Sequence, residues 1–166
     1  TDNGLENVDG FGVPGTEFWT SIRKNSDVLY YLIKHLALLD PAEPLFSAVE
    51  ETARKLAQAL AEIWHTHGQM GQFADIRTGK LVVGNSAAGA LAAGALASAA
   101  QFFGRQDWLQ AASEIGEWLY DAFTARGYSN GGPNEILQCP DSESAIALLE
   151  SYVALYQVTR KQRWLD

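Results

Sequence analysis

Carboxylates supply most of the reactive side chains in this chain: 20 Asp and Glu stand against 12 Lys and Arg and three His. Three of the acids, Asp27, Asp141 and Glu143, fall where apolar helical segments begin. Glu17, Asp75 and Glu135 fall in the adjoining loops. Carboxyl groups so placed have two physical uses. An Asp just before a helix accepts N–H bonds as a cap, and an acid in the first turn complements the helix dipole. Two carboxyls flanking a glycosidic bond instead do general acid–base work, one donating a proton and one activating water. No fixed spacing ties two of these acids together, so inverting and retaining chemistry are not separable from the sequence.

Other chemistries are poorly supplied. The one cysteine, Cys139, excludes a disulfide within the chain and any Cys-based zinc cluster, and no activating partner accompanies it. His65 and His67 sit two residues apart, a step that points helical side chains away from each other. His35 lies in an apolar helical run and reads as a core histidine. Gly131-Gly132-Pro133 is a turn with no Gly-Lys-Ser/Thr after it, so it is not a phosphate loop. Neither a metal site nor a cofactor is expected.

Charge excludes further classes. A net charge of −8 and a pI near 4.8 argue against a nucleic-acid partner or an anionic membrane surface. The stretch from Leu81 to Gly104 carries no charge, yet Asn85, Ser86, Ser98 and Gln101 interrupt it and Ala and Gly fill most of the rest. That composition suits a helix buried in protein, not one crossing a bilayer.

Hydrophobic periodicity predicts five helices and an all-α fold. The first runs from about Asn25-Ser26 to Leu39, closed by Asp40-Pro41. The second opens at Ser47, with Glu50 completing a capping box, and stops at His67-Gly68. The third runs from Asn85-Ser86 to about Phe103, and the fourth from Asp107 to Gly127. The fifth opens at Asp141 or Ser142 and reaches about Val158, after which Trp164-Leu165 reads as the first turn of a sixth. Long loops cover 69–84, with Leu81-Val82-Val83 as a short extended piece, and 128–140.

The odd-numbered helices are apolar nearly all round, and the even-numbered ones are amphipathic. A repeat underlies this alternation. Ser86 and Ser142 stand 56 residues apart, as do Trp108 and Trp164, Gln101 and Gln157, and Leu109 and Leu165. A fainter earlier copy places Asn25-Ser26 60 residues before Asn85-Ser86. The chain thus divides into hairpins at about 25–67 and 85–126 and an incomplete one at about 141–166, forming a single domain.

The runs Asn25-Ser26-Asp27, Asn85-Ser86 and Asp141-Ser142-Glu143-Ser144, each opening an apolar helix, occur beside Gly104-Arg105-Gln106-Asp107-Trp108-Leu109, which opens an amphipathic one. Together they resemble the six-hairpin glycosidase superfamily, whose members fold as an (α/α)6 toroid. The resemblance implies buried inner helices ringed by amphipathic outer ones, here as about half of the ring. It implies a fragment whose first and fifth helices have open apolar flanks, to be covered by the remainder of the toroid or by a second copy.

The resemblance also implies a carbohydrate substrate bound where the inner helices begin, with glycoside hydrolysis as the expected reaction. Asp141, Glu143 and Asp27 match the catalytic positions. Trp19, Phe73 and Tyr128 would stack on sugar rings, with Glu135 as a further substrate contact. Two rival expectations remain: a non-catalytic helical-repeat binding module, and a sugar epimerase or isomerase of the same fold, for which His35 is the candidate acid or base.

Overall fold

Residues 15–132 and 139–166 are described by the structure, a computed structural model. Chain entry is extended: β1 (Trp19–Ser21) leads straight into α1 (Ile22–Leu36), with the Ser21 hydroxyl accepting from the Lys24 N–H at 3.4 Å. The helix therefore starts ahead of Asn25-Ser26, where the sequence places its opening. Those two residues are buried inside it. Asn25 Nδ2 donates to Thr20 Oγ1 at 2.7 Å and to the Ser21 carbonyl at 2.8 Å, and Ser26 bonds back to the Ile22 carbonyl at 2.8 Å. Short polar side chains bond nearby backbone both at caps and within helices, so the pair looks the same in sequence in either setting.

Helix α2 (Pro44–His67) also starts early. Pro44 takes the first position, where its missing N–H costs nothing, and Glu43 before it makes no side-chain cap bond. Ser47 is thus already helical, and the expected capping box is not the start. The end is as expected: Gly68 adopts φ 62°, and its N–H closes on the Trp64 carbonyl at 2.8 Å.

The loop after α2 holds more order than its turn chemistry suggests. β2 (Phe73–Asp75) pairs antiparallel with β1, placing Trp19 opposite Asp75 and Ser21 opposite Phe73, and β3 (Leu81–Val83) pairs with β2 on the other side. Only β3 is visible in the sequence. Three-residue strands leave almost no periodic trace.

Ser86 then caps a short 3-10 turn, Ala87–Gly89, by accepting from the Ala88 N–H at 3.1 Å. Helix α3 (Leu91–Phe103) follows, then α4 (Gln106–Ala122) and α5 (Ser142–Thr159). Where a sixth helix is expected, Gln162–Trp164 forms a 3-10 turn.

α3 is the hub. It packs against α1, α4 and α5, while α2 packs against α1, α3 and α4. From Leu91 to Ala100 every residue except Ser98 is buried. Alanine and glycine let the neighbouring backbones come close on several sides at once, where dispersion contacts accumulate. α2 and α4 each bury one stripe, Ala53-Leu56-Leu60-Ile63 and Trp108-Ala112-Ile115-Leu119. Two indoles cross between these helices: Trp64 Nε1 donates to Glu114 at 2.8 Å and Trp108 Nε1 to Gln58 at 3.2 Å. The wet side of α2 carries Glu50–Arg54 and Glu51–Lys55 pairs one turn apart.

The fold is all-α with one small sheet. Open apolar flanks occur on α1, at Tyr31 and just beyond it at Leu38, and on α5, at Ile146, Leu149 and Val153. His35 is exposed on the α1 flank, not buried in the core as the apolar run implies. Among the described residues, no helix is long and apolar enough to cross a membrane.

Candidate functional site

Asp141 does what its position before α5 dictates. One oxygen accepts the Ser144 N–H at 2.7 Å, satisfying an orphan donor of the first turn. The other accepts the Gly132 N–H at 2.7 Å, which ties the preceding loop to the helix start. Ser129 strengthens that tie by donating to the Asp141 carbonyl at 2.9 Å. Next along the loop, Asn130 fastens the start of the α3 segment. Its side-chain oxygen accepts the Ala87 N–H at 3.1 Å and its Nδ2 donates to the Asn85 carbonyl at 3.0 Å. A single loop therefore stitches together the beginnings of two hub helices.

Arg23, in the first turn of α1, reaches across to α5. It donates to Ser144 Oγ at 2.8 Å, pairs with Glu143, and lies 3.5 Å from Asp141. Its side chain is only 12% exposed and that of Asp141 9%, so the pair is largely withdrawn from water. Asp27 follows one turn later on α1. Arg23, Asp141 and Glu143 thus form one charged cluster shared by α1 and α5, and Asp27 and Glu150 lie near enough to feel its charges and each other's.

The cluster pushes its acids in opposite directions. Burial raises the Asp27 pKa above the ordinary aspartate value; Arg23 opposes this, and Glu150 and Glu143 reinforce it. Burial also works against ionised Asp141, but donation from the Ser144 and Gly132 N–H groups, assisted by Arg23, outweighs it and leaves its pKa lowered. One acid thus retains its proton to higher pH while the other is held as an anion, the pattern by which two carboxyls take different roles.

The remaining predicted contacts scatter. Phe73 is 1% exposed and packs on Trp19 with ring centroids 5.7 Å apart, so it faces the interior. Trp19 is half-buried in the same pair. Tyr128 is 46% exposed and adjoins Ser129, beside the loop that holds Asp141. Glu135 lies outside the described residues. Of the loop acids, Glu17 accepts the Gly15 N–H at 2.9 Å, and Asp75 is held down to a pKa of about 2 chiefly by its hydrogen bond from Arg77. Among the described residues, no group of His, Cys, Asp and Glu is arranged to hold a metal.

Arg23 and Asn130 are the members that sequence reasoning missed. Arg23 carried one available signal, its position four residues before Asp27 on a helix. Asn130 sits in a Ser-Asn-Gly-Gly run that reads only as a turn. Comparison with protein-family models, curated proteins and solved structures finds no match to this chain.

Proposed function

We propose that the chain is part of a carbohydrate-active enzyme, a glycoside hydrolase built on tandem helical hairpins, with its reaction centre in the cluster around Arg23. The observation that carries this reading is the meeting of Asp141 and Glu143 on the Arg23 guanidinium where α1 and α5 begin, with Asp27 one helical turn from Arg23 on α1. Asp27 is the proton donor, because burial keeps it protonated to higher pH. It gives its proton to the leaving glycosidic oxygen as the bond from that oxygen to the sugar breaks. Glu143, exposed at the same rim, takes the proton from the attacking water. Asp141 anchors the site: both its oxygens already accept N–H bonds, so it positions the loop and Arg23. Tyr128 offers an exposed ring for stacking on a sugar face.

The test is hydrolysis of aryl glycosides and unsaturated uronides by the wild-type chain and by Asp27→Asn. Removing a general acid lowers the rate by roughly 10²–10⁴-fold. Activity unchanged in Asp27→Asn removes Asp27 from the chemistry. A second reading, a non-catalytic binding module, is favoured by the complete engagement of Asp141 by backbone donors. A folded chain that binds oligosaccharide but hydrolyses neither substrate class would support it.

A further inference from the structure

Two Asn-Gly pairs occur in the chain: Asn130-Gly131, in the loop before α5, and Asn3-Gly4, which lies outside the described residues. In such a pair the glycine carries no side chain to shield its main-chain nitrogen, and its backbone turns freely. That nitrogen can then attack the side-chain carbonyl carbon of the asparagine before it.

Packing holds both members of the second pair in place. A Cβ on Gly131 would sit 1.5 Å from the Ser144 hydroxyl oxygen and 2.9 Å from an oxygen of Asp141. Ser144 has little freedom to yield, because its hydroxyl accepts from Arg23 at 2.8 Å and its N–H is capped by Asp141 at 2.7 Å. Asn130 is needed for its amide, which accepts and donates at once. Oδ1 takes the Ala87 N–H at 3.1 Å, and Nδ2 gives to the Asn85 carbonyl at 3.0 Å. The Asn85 backbone so held has φ 50°, in the left-handed region that residues with a Cβ seldom visit.

The same contacts restrain the reaction. Ring closure requires the Asn130 side chain to swing onto its own main chain and surrender both bonds to the segment that starts α3. Gly131 is buried, which keeps water and base from its N–H. The folded chain therefore reacts only during the fraction of time in which this loop lifts off.

We propose that Asn130 is a latent modification site, guarded by its two bonds to the α3 start, whose deamidation releases that start from the loop before α5. The step needs water alone. The Gly131 nitrogen loses its proton and bonds to Asn130 Cγ, while Nδ2 takes up a proton and leaves as ammonia. A five-membered succinimide remains, and water opens it at either carbonyl to give an aspartyl or an isoaspartyl residue at this position.

Either product spoils the latch. The aspartyl form still accepts from the Ala87 N–H, and a helix start favours an anion. Its second oxygen, however, confronts the Asn85 carbonyl with no proton between them. The isoaspartyl form lengthens the main chain by one methylene just before Gly131. There the Gly132 N–H is already tied to Asp141 at 2.7 Å, and no space is left beside Ser144.

Mass spectrometry of the full 166-residue chain, incubated at mildly alkaline pH in buffer and in guanidinium chloride, is the test. Peptide maps localise the one-dalton gain to a residue. In denaturant Asn130 should convert at the pace of Asn3. In buffer it should convert at least about tenfold more slowly than in denaturant, since two hydrogen bonds must open first. Equal rates at Asn130 in the two solvents overturn the guard, and no conversion in denaturant overturns the site. Asn130→Asp tests the consequence: its melt, followed by circular dichroism, should lie about 3 °C or more below wild type. A melt equal to wild type or above it overturns the release of the α3 start. If Asn130→Asp does not fold, wild type aged in buffer and resolved by ion exchange gives the same comparison, with the deamidated fraction expected to melt lower.

Discussion

The Ser151 hydroxyl on α5 bridges two backbone groups that lie one turn apart at the start of α3, the carbonyl of its capping residue Ala90 and the Gly94 N–H. It can do so because Gly94 lacks a side chain: a Cβ there would sit 3.0 Å from Ser151 Cα and 3.1 Å from its hydroxyl oxygen. This contact fixes how closely the two hub helices approach.

Replacing Ser151 by Ala should destabilise the fold by about 1–2 kcal/mol, since a fully buried pair of hydrogen bonds is lost. Gly94→Ala should cost about 1–3 kcal/mol by overpacking, reduced by the roughly 1 kcal/mol that Ala gains in helix propensity. Urea denaturation measures both. The double variant should fall short of additivity, because the two residues share one contact.

Asp141→Ala should lose about 1–2 kcal/mol, the range for removing an N-cap, whereas Asp141→Asn should lose less because Asn also caps. The pH dependence has a definite sign. The folded pKa of Asp141 is lowered, so its contribution is present above the unfolded value and is lost as pH falls through the folded value. The stability gap between wild type and Asp141→Ala should narrow on acidification, and thermal melts across pH 2–6 would show it.

Asp27 should behave oppositely. Its folded pKa is raised, so its favourable contribution exists at low pH and disappears as pH rises through that value. Asp27→Asn should therefore melt higher than wild type at neutral pH and match it in acid. Stability gained together with hydrolysis lost is the signature expected of a strained acid kept for chemistry. Stability lost at neutral pH would count against the buried charge.

Arg23→Met would strip the cluster of its cation. Breaking a largely buried pair by removing one partner costs about 3 kcal/mol. Because Arg23 opposes the rise at Asp27, the Asp27 pKa should climb further in this variant. Carboxyl-carbon NMR titration of wild type and variant follows that shift directly. An unmoved Asp27 titration would separate the two residues.

Much of the architecture was legible along the chain because its cues are local. The alanine-rich run 90–100 announced a buried hub helix, the stripes of α2 and α4 announced half-wet neighbours, and Pro140-Asp141 announced a capped start. Gly68 likewise marked a helix end through its tolerance of positive φ. Each of these depends on residues within a few turns of one another.

What only the tertiary structure decided depends on distant pairs. Arg23 meets Glu143 across 120 residues, and Asn130 reaches back 43 residues to Ala87. Pairing of β1 with β2 turned Phe73 inward, and three residues per strand left no periodicity to predict it. Sequence fixes which side chains can bond or bury. Which of them meet is set by the packing of helices around α3, because long-range contacts form only when the hub holds both partners in place.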